Sequence, residues 1–162
     1  MAVWTLTVRS TYLTSQHEVW RYKTDPESLA AELGPWLQMT VTDPDALARA
    51  LRGAAPASFR ARVTGPLGLV GLPWPMDIVR SEPELVYQDT SVNALYRRFQ
   101  HTHRAIPAAA GRVKYVDEVV FEPRLRPSVL TARLTRALFL HRHERAAQDL
   151  PLDAVEGTRS WL

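Results

Sequence analysis

The sequence contains two histidines, His101 and His103, at a spacing that could place them in one site. If this segment is a β-strand, side chains two residues apart lie on the same face, so the two imidazoles are neighbours. Imidazoles exchange protons near neutral pH and bind metal ions. Asp89 and Asp117 lie in the flanking segments. Either carboxylate could complete an acid/base pair or a set of metal ligands.

Three interpretations of these side chains are open. In the first, both histidines are hydrogen-bonded core residues or contact a ligand, since polar clusters are often structural. In the second, His101 or His103 works with Asp117 as a general acid and base. In the third, they bind a metal ion. Because two histidines with distant carboxylates lack a third ligand that is already oriented, we expect no metal and no cofactor.

Several other kinds of chemistry are excluded or disfavoured. The chain has no cysteine, which rules out disulfides, thiolate metal sites and a cysteine nucleophile. It also lacks the Gly-x-Ser-x-Gly pattern of a hydrolase nucleophile. Residues 65–71 are rich in glycine, but they join two predicted strands without a helix start that would bind phosphate. We interpret them as a hairpin loop that can gate a cavity.

Composition indicates one globular domain. The 162 residues are 46% hydrophobic and 23% charged, close to the globular average. We expect a domain over residues 1–150 followed by a loose tail over residues 151–162. The net charge is +3, and its arginines are dispersed rather than clustered, so we expect no nucleic-acid partner. With no evident signal segment or membrane span, we expect a cytoplasmic monomer or homodimer.

Hydrophobic periodicity predicts seven strands, with two short helices after the first strand and a long helix at the end. Ser15 with Glu18, and Asp25 with Pro26, supply the start signals of the short helices. The long helix begins after Ser128 and runs to about residue 149. The predicted strands are residues 3–12, 36–42, 58–64, 74–80, 85–92, 96–104 and 112–122.

The long helix is expected to cover one face of the sheet. Short turns between the strands predict an antiparallel sheet, and this amphipathic helix is the only element long enough to cover it. The sequence predicts that the helix packs Leu130, Leu134, Leu138 and His141 against the sheet, of which Leu134, Leu138 and His141 close a pocket.

Alternation along the last three strands separates a polar face from an aromatic one. The aromatic face also carries charged and titratable groups, which must pair with one another or line a cavity. A turn centred near Asn93 would place Asp89 opposite Arg97, as an ion pair or as a site for a ligand carboxylate. A turn near Ala108 would place Phe99 near Asp117. The expected inward residues are Leu85, Tyr87, Asp89, Arg97, Phe99, His101, His103, Val113, Tyr115, Asp117, Val119 and Phe121.

The order and spacing of several short motifs resemble the SRPBCC superfamily of START-like and Bet v 1-like proteins. The nearest branch is the bacterial one described as polyketide cyclase/dehydrase-like or cell-division-inhibitor-like. The resemblance covers about residues 3–148. The sequence differs from that branch at Val92-Asn93-Ala94, where a Gly-Pro pair is usual, and at residues 107–111. The motifs are residues 74–80, Asp89, residues 99–103, residues 117–123 and residues 140–143.

The resemblance implies an α+β helix-grip fold, in which a curved seven-stranded antiparallel sheet wraps around the C-terminal helix. It also implies a cavity for a lipid, a polyketide-like molecule or another hydrophobic ligand. We therefore expect a non-catalytic binder or carrier. The alternatives are a cyclase/dehydrase-type enzyme and a protein-interaction module. The candidate ligand contacts are Trp74, Met76, Ile78, Tyr87, Asp89, Arg97, Phe99, His101, His103, Tyr115, Asp117, Leu134, Leu138 and His141.

Overall fold

A curved antiparallel sheet and a long helix make up most of the molecule. The computed structural model describes residues 2–65 and 71–161. The sheet has the strand order β2-β3-β4-β5-β6-β7-β1-β8. In chain order the elements are β1 (Trp4–Tyr12), α1 (Gln16–Lys23), α2 (Pro26–Leu33), β2 (Gln38–Val41), α3 (Pro44–Leu51), β3 (Ala57–Thr64), β4 (Gly71–Glu82), β5 (Val86–Ser91), β6 (Tyr96–Ala108), β7 (Arg112–Pro123), α4 (Ser128–Ala146) and β8 (Leu152–Trp161).

The local signals in the sequence account for the short helices. The side chains of Ser15, Asp25 and Asp43 accept hydrogen bonds from the first-turn backbone amides of α1, α2 and α3. Such caps satisfy amides that have no partner inside the helix. Pro26 and Pro44 stand at the first helical positions, where a missing N–H costs nothing. Helices α1 and α2 therefore begin where the sequence predicts, and α3 begins with the same kind of signal.

Over residues 2–65 and 71–161 the sheet has eight strands rather than the seven predicted. The expectation of a loose tail after Pro151 was wrong, because Leu152–Trp161 pairs antiparallel with β1. Strand β1 would otherwise expose one row of backbone hydrogen-bonding groups at the sheet edge. Pairing with β8 satisfies these groups, and backbone pairing of this kind leaves little hydrophobic signal in a sequence.

Helix α4 packs on the sheet through a different face from the one predicted. Leu130 and Leu134 are 54% and 62% exposed. Leucines occur on several sides of this helix, so their spacing did not identify the buried side. Apart from Phe139, the buried side carries small and polar residues rather than leucines. These residues are Thr131, Ala132, Thr135, Phe139, Arg142, His143 and Ala146.

Candidate functional site

A cavity of about 300 Å³ lies between the sheet and helices α2, α3 and α4. Most of its wall is apolar, and several apolar residues of the wall, including Leu33, Leu37 and Leu72, are only half-buried. The cavity is lined by Leu29, Leu33, Leu37, Met39, Leu47, Leu51, Val63, Gly65, Leu72, Trp74, Met76, Ile78, Tyr87, Asp89, Leu95, Tyr96, Phe99, His101, His103, Thr135, Leu138, Phe139 and Arg142.

Asp89, His101 and His103 form a polar patch in this wall. Strand pairing places Asp89 directly opposite His101, and His103 follows two residues later on the same face. The Asp89 Oδ2 atom lies 3.5 Å from His101 Nδ1 and 3.4 Å from His103 Nε2. All three residues are buried, with at most 6% of their surface exposed. The polar patch is therefore a compact group set in an apolar surface.

A second carboxylate, Asp117, lies on the other side of the two imidazoles. Its Oδ1 atom is 2.9 Å from His103 Nδ1 and 3.3 Å from His101 Nε2. Its Oδ2 atom is 3.0 Å from His143 Nε2, and His143 Nδ1 lies 2.6 Å from the Ser10 hydroxyl. Each imidazole of the polar patch thus has one nitrogen toward Asp89 and the other toward Asp117.

Aromatic side chains fix the orientation of His103. The Tyr87 ring stacks on its imidazole with 3.7 Å between centroids, and the Tyr115 hydroxyl lies 2.5 Å from its Nδ1. Tyr87 in turn donates its hydroxyl to the Lys23 carbonyl. These contacts on both sides leave little room for the ring to rotate.

Burial and the neighbouring charges shift the titration of this network. Burial lowers the pKa of His101 to about 4, and the adjacent His103 adds to this effect. Burial alone would raise the pKa of Asp117, but the two imidazoles hold it well below its usual range. Burial also lowers the pKa of His143 in spite of its hydrogen bond to Asp117. These directions favour neutral His101 and His143 beside an ionised Asp117.

A second buried charge cluster connects helices α1, α2 and α4. The Glu32 carboxylate accepts from Lys23 Nζ at 2.5 Å and from Arg142 at 3.1 and 3.2 Å. Burial would lower the pKa of Lys23, but Glu32 raises it above its ordinary value. Arg142 also lines the cavity, so it brings a positive charge to the wall. This cluster was not predicted from the sequence, because its members are far apart in the chain.

Nine of the fourteen candidate ligand contacts line the cavity, and their role as contacts remains a prediction. Tyr115 and Asp117 are buried behind the polar patch rather than in the wall. The nine are Trp74, Met76, Ile78, Tyr87, Asp89, Phe99, His101, His103 and Leu138.

The other three candidates were placed incorrectly. A bulge in β6 between Tyr96 and Arg98 turns Arg97 outward, where its nearest carboxylate is Glu122 rather than Asp89. Leu134 faces solvent on the outer side of α4. His141 is half-buried but bonds the Gly34 carbonyl through Nε2 at 2.7 Å, which directs it toward the end of α2. The expected ion pair between Asp89 and Arg97 is therefore absent.

Leu85 was also predicted to face inward but is 47% exposed, because β5 begins after it. The predicted gating loop includes residues 66–70, which lie outside the described residues. Helix α3 contributes Leu47 and Leu51 to the wall, a contribution that their i, i+4 spacing could have indicated. Some other missed lining residues, such as Met39 and Leu95, lie on short or irregular segments, whereas Thr135, Phe139 and Arg142 were missed because the wrong face of α4 was predicted to be buried.

The strand order and the position of α4 define a START-like, Bet v 1-like helix-grip fold, and solved structures agree. The chain is similar to protein CV1439 from Chromobacterium violaceum, with 14% identity, a TM-score of 0.71, and coverage of 92% of this chain and 98% of that one. It is similar to the Zhui aromatase/cyclase from Streptomyces sp. R1128 at 13% identity and a TM-score of 0.61, covering 90% and 95%. A START superfamily protein from Mycobacterium smegmatis matches at 7% identity and a TM-score of 0.66, covering 91% and 97%.

The chain belongs to the family described as Domain of unknown function (DUF8410), whose model matches residues 10–150. A search of curated proteins finds no match. Among the residues that the structure describes, no helix has both the length and the apolar character needed to cross a membrane.

Proposed function

We propose that this protein binds a mainly hydrophobic small molecule in the cavity between its sheet and α4. The observation that supports this most strongly is an apolar wall interrupted by the polar patch of Asp89, His101 and His103. Small-molecule sites typically combine an apolar surface with a few placed polar groups that orient the ligand. The binding unit lies within residues 1–150, and the ligand's polar group points at the polar patch.

The dimensions of the cavity favour a compact ligand. Its volume of about 300 Å³ is at the lower end of the range for ligand pockets. Trp74 and Phe99 stand edge to face in the wall, with 5.5 Å between ring centroids. Aromatic rings in this arrangement offer both faces and edges to a ring-containing ligand. A ligand with one or a few rings and a single polar group fits these features better than a long acyl chain.

A second candidate function is acid/base catalysis of the cyclase/dehydrase kind. The observation favouring it is that His101 and His103 reach the cavity while Asp117 supports both rings from behind. A histidine backed by a carboxylate can take a proton from a bound molecule and return it at another position. A solved structure of similar fold is described as an aromatase/cyclase. Recovery of a bound molecule in chemically changed form would favour this function over simple carriage.

A protein-interaction module is a weaker candidate. Such a module would need a filled core and an exposed apolar surface. The cavity between the sheet and α4 counts against this, since the space is open to a small molecule.

Titration with an environment-sensitive apolar dye tests the binding proposal. The native protein should bind about one dye molecule per chain with saturable fluorescence. Leu138→Trp should weaken this binding several-fold, because Leu138 lines the cavity and the larger side chain fills it. Leu134→Trp is the matched control, since the same substitution four residues earlier faces solvent. Equal dye affinity in all three proteins, with cooperative unfolding retained, would contradict the proposal.

Native mass spectrometry of the purified protein would identify the ligand class. We expect non-covalent adducts that disappear on denaturation and decrease in Leu138→Trp but not in Leu134→Trp. Adducts of equal abundance in both variants would indicate binding outside the cavity.

A further inference from the structure

We propose that Asp89, His101 and His103 bind one divalent transition-metal ion at the wall of the cavity. This inference concerns the same cavity as the proposed function but does not depend on a hydrophobic ligand. From the sequence we expected no metal, because the carboxylates are distant along the chain. Strand pairing removes that objection, since it places Asp89 opposite His101.

The spacing of the three ligand atoms suits a metal ion. Asp89 Oδ2 lies 3.5 Å from His101 Nδ1 and 3.4 Å from His103 Nε2, and the three atoms lie within 4.8 Å of one another. Around a tetrahedral zinc ion with bonds of about 2.0–2.1 Å, ligand atoms are about 3.3 Å apart. Small shifts of the Asp89 carboxylate and the His101 ring would therefore bring all three atoms to bonding distance, while His103 stays in place.

The atoms behind the imidazoles supply an independent argument. Histidines that bind metal ions almost always donate their second ring N–H to a carboxylate or carbonyl, which fixes the ring and its tautomer. Here the second nitrogens, His101 Nε2 and His103 Nδ1, lie 3.3 and 2.9 Å from the same Asp117 oxygen. The other Asp117 oxygen is held by His143. With a proton on each of these two nitrogens, both imidazoles would present a free electron pair toward Asp89.

The nature of the three ligands limits the kind of metal ion. Two imidazoles and one carboxylate suit zinc, ferrous iron or cobalt, whereas magnesium and calcium prefer oxygen ligands alone. Because all three residues line the cavity, the remaining coordination position faces the space that a small molecule would occupy. That position could hold water or the polar group of a ligand.

A proton is the main competitor for this position. Glu32 is already paired with Lys23 and Arg142. Asp89 and Asp117 instead flank the two imidazoles, so a proton bound between them would bring a positive charge there as a metal ion does. The two cases can be distinguished by measurement. Only a metal site binds metal ions stoichiometrically and loses that binding when one of its ligand residues is replaced.

Calorimetric titration of the chelator-treated full chain with Zn²⁺ tests the proposal. We expect one ion per chain, and a thermal unfolding midpoint that rises with Zn²⁺ concentration. Asp89→Asn should abolish this binding while preserving side-chain shape. Asp117→Asn tests a positioning residue and should weaken binding by about 10–100-fold. Asp77→Asn and His17→Gln, at exposed positions, are controls that should bind as the native protein does.

Anomalous diffraction from crystals grown with Zn²⁺ locates the ion without relying on any variant. Density between Asp89, His101 and His103 is expected. The proposal would be overturned by absence of stoichiometric binding in the native protein, by undiminished binding in Asp89→Asn, or by an ion located only at surface residues such as His17. Dye binding by the native protein is a separate measurement that needs no metal ion, so this proposal and the proposed function can fail separately.

Discussion

Asp89 and His101 face each other across strands β5 and β6, with 3.5 Å between the carboxylate and the Nδ1 atom of the ring. This pair lies in the wall of an apolar cavity, and Asp117 approaches the same ring from the other side. A buried imidazole between two carboxylates concentrates most of the polar chemistry of the cavity in one place. The stability, titration and binding properties of the protein should therefore depend on these residues.

Acid should destabilise the metal-free protein through His101. Burial lowers the pKa of this histidine from 6.5 to about 4, so below pH 6.5 the unfolded chain binds a proton that the folded chain does not. At 1.36 kcal/mol per pKa unit, the free energy of unfolding should fall by about 3 kcal/mol between pH 7 and pH 4. Urea unfolding at several pH values, with a chelator present, measures this.

The matched variants for the acid prediction are His101→Gln and His17→Gln. His101→Gln should reduce the pH dependence, whereas His17→Gln at an exposed position should not change it. A pH dependence as steep in His101→Gln as in the native protein would show that another group is responsible.

Replacement of Glu32 should be strongly destabilising. Glu32→Gln leaves Lys23 and Arg142 buried without their shared carboxylate, which should cost about 3–5 kcal/mol. Glu27→Gln, on the exposed side of the same helix, should change the free energy of unfolding by less than about 0.5 kcal/mol. Chemical unfolding measures the free energy of unfolding of both variants. Equal stability of the two would contradict the role of Glu32 as the shared partner of Lys23 and Arg142.

The inward face of α4 can be tested by two truncations. Phe139 is 3% exposed and packs against Phe99 and His101 of β6 at the cavity wall, so Phe139→Ala should cost about 3–5 kcal/mol. Leu134→Ala, on the exposed side, should cost less than about 0.5 kcal/mol. This result would separate the observed orientation of α4 from the predicted one, in which Leu134 is buried. A larger loss for Leu134→Ala than for Phe139→Ala would contradict the structure.

Most candidate site residues were correctly predicted to face inward, even though the pairing register of the strands was wrong. A register error of an even number of residues leaves each side chain on the same face of the sheet. The predicted hairpin placed Asp89 opposite Arg97, whereas the observed partner is His101, four residues later. Likewise Phe99 pairs with Phe121 instead of Asp117. In both hairpins the turn lies two residues later than predicted, and side-chain alternation leaves the inward set unchanged.

Other features depend on interactions that have no local signal. The bulge that turns Arg97 outward depends on how β6 pairs with its neighbours. The turn between β5 and β6, by contrast, has a local signal in Asn93, whose side chain accepts from the amides of Leu95 and Tyr96. The buried cluster around Glu32 joins three helices, so its members cannot be matched by spacing along the chain.

Methionine methyl signals offer the most direct test of the cavity as a binding site. The chain has three methionines, and two of them, Met39 and Met76, line the cavity. In protein labelled with ¹³C at the methionine methyl groups, a compact apolar ligand should shift the signals of Met39 and Met76 saturably, with one common dissociation constant. Met39→Leu and Met76→Leu assign the two signals. Saturable binding of the ligand that leaves both signals unmoved would contradict the account.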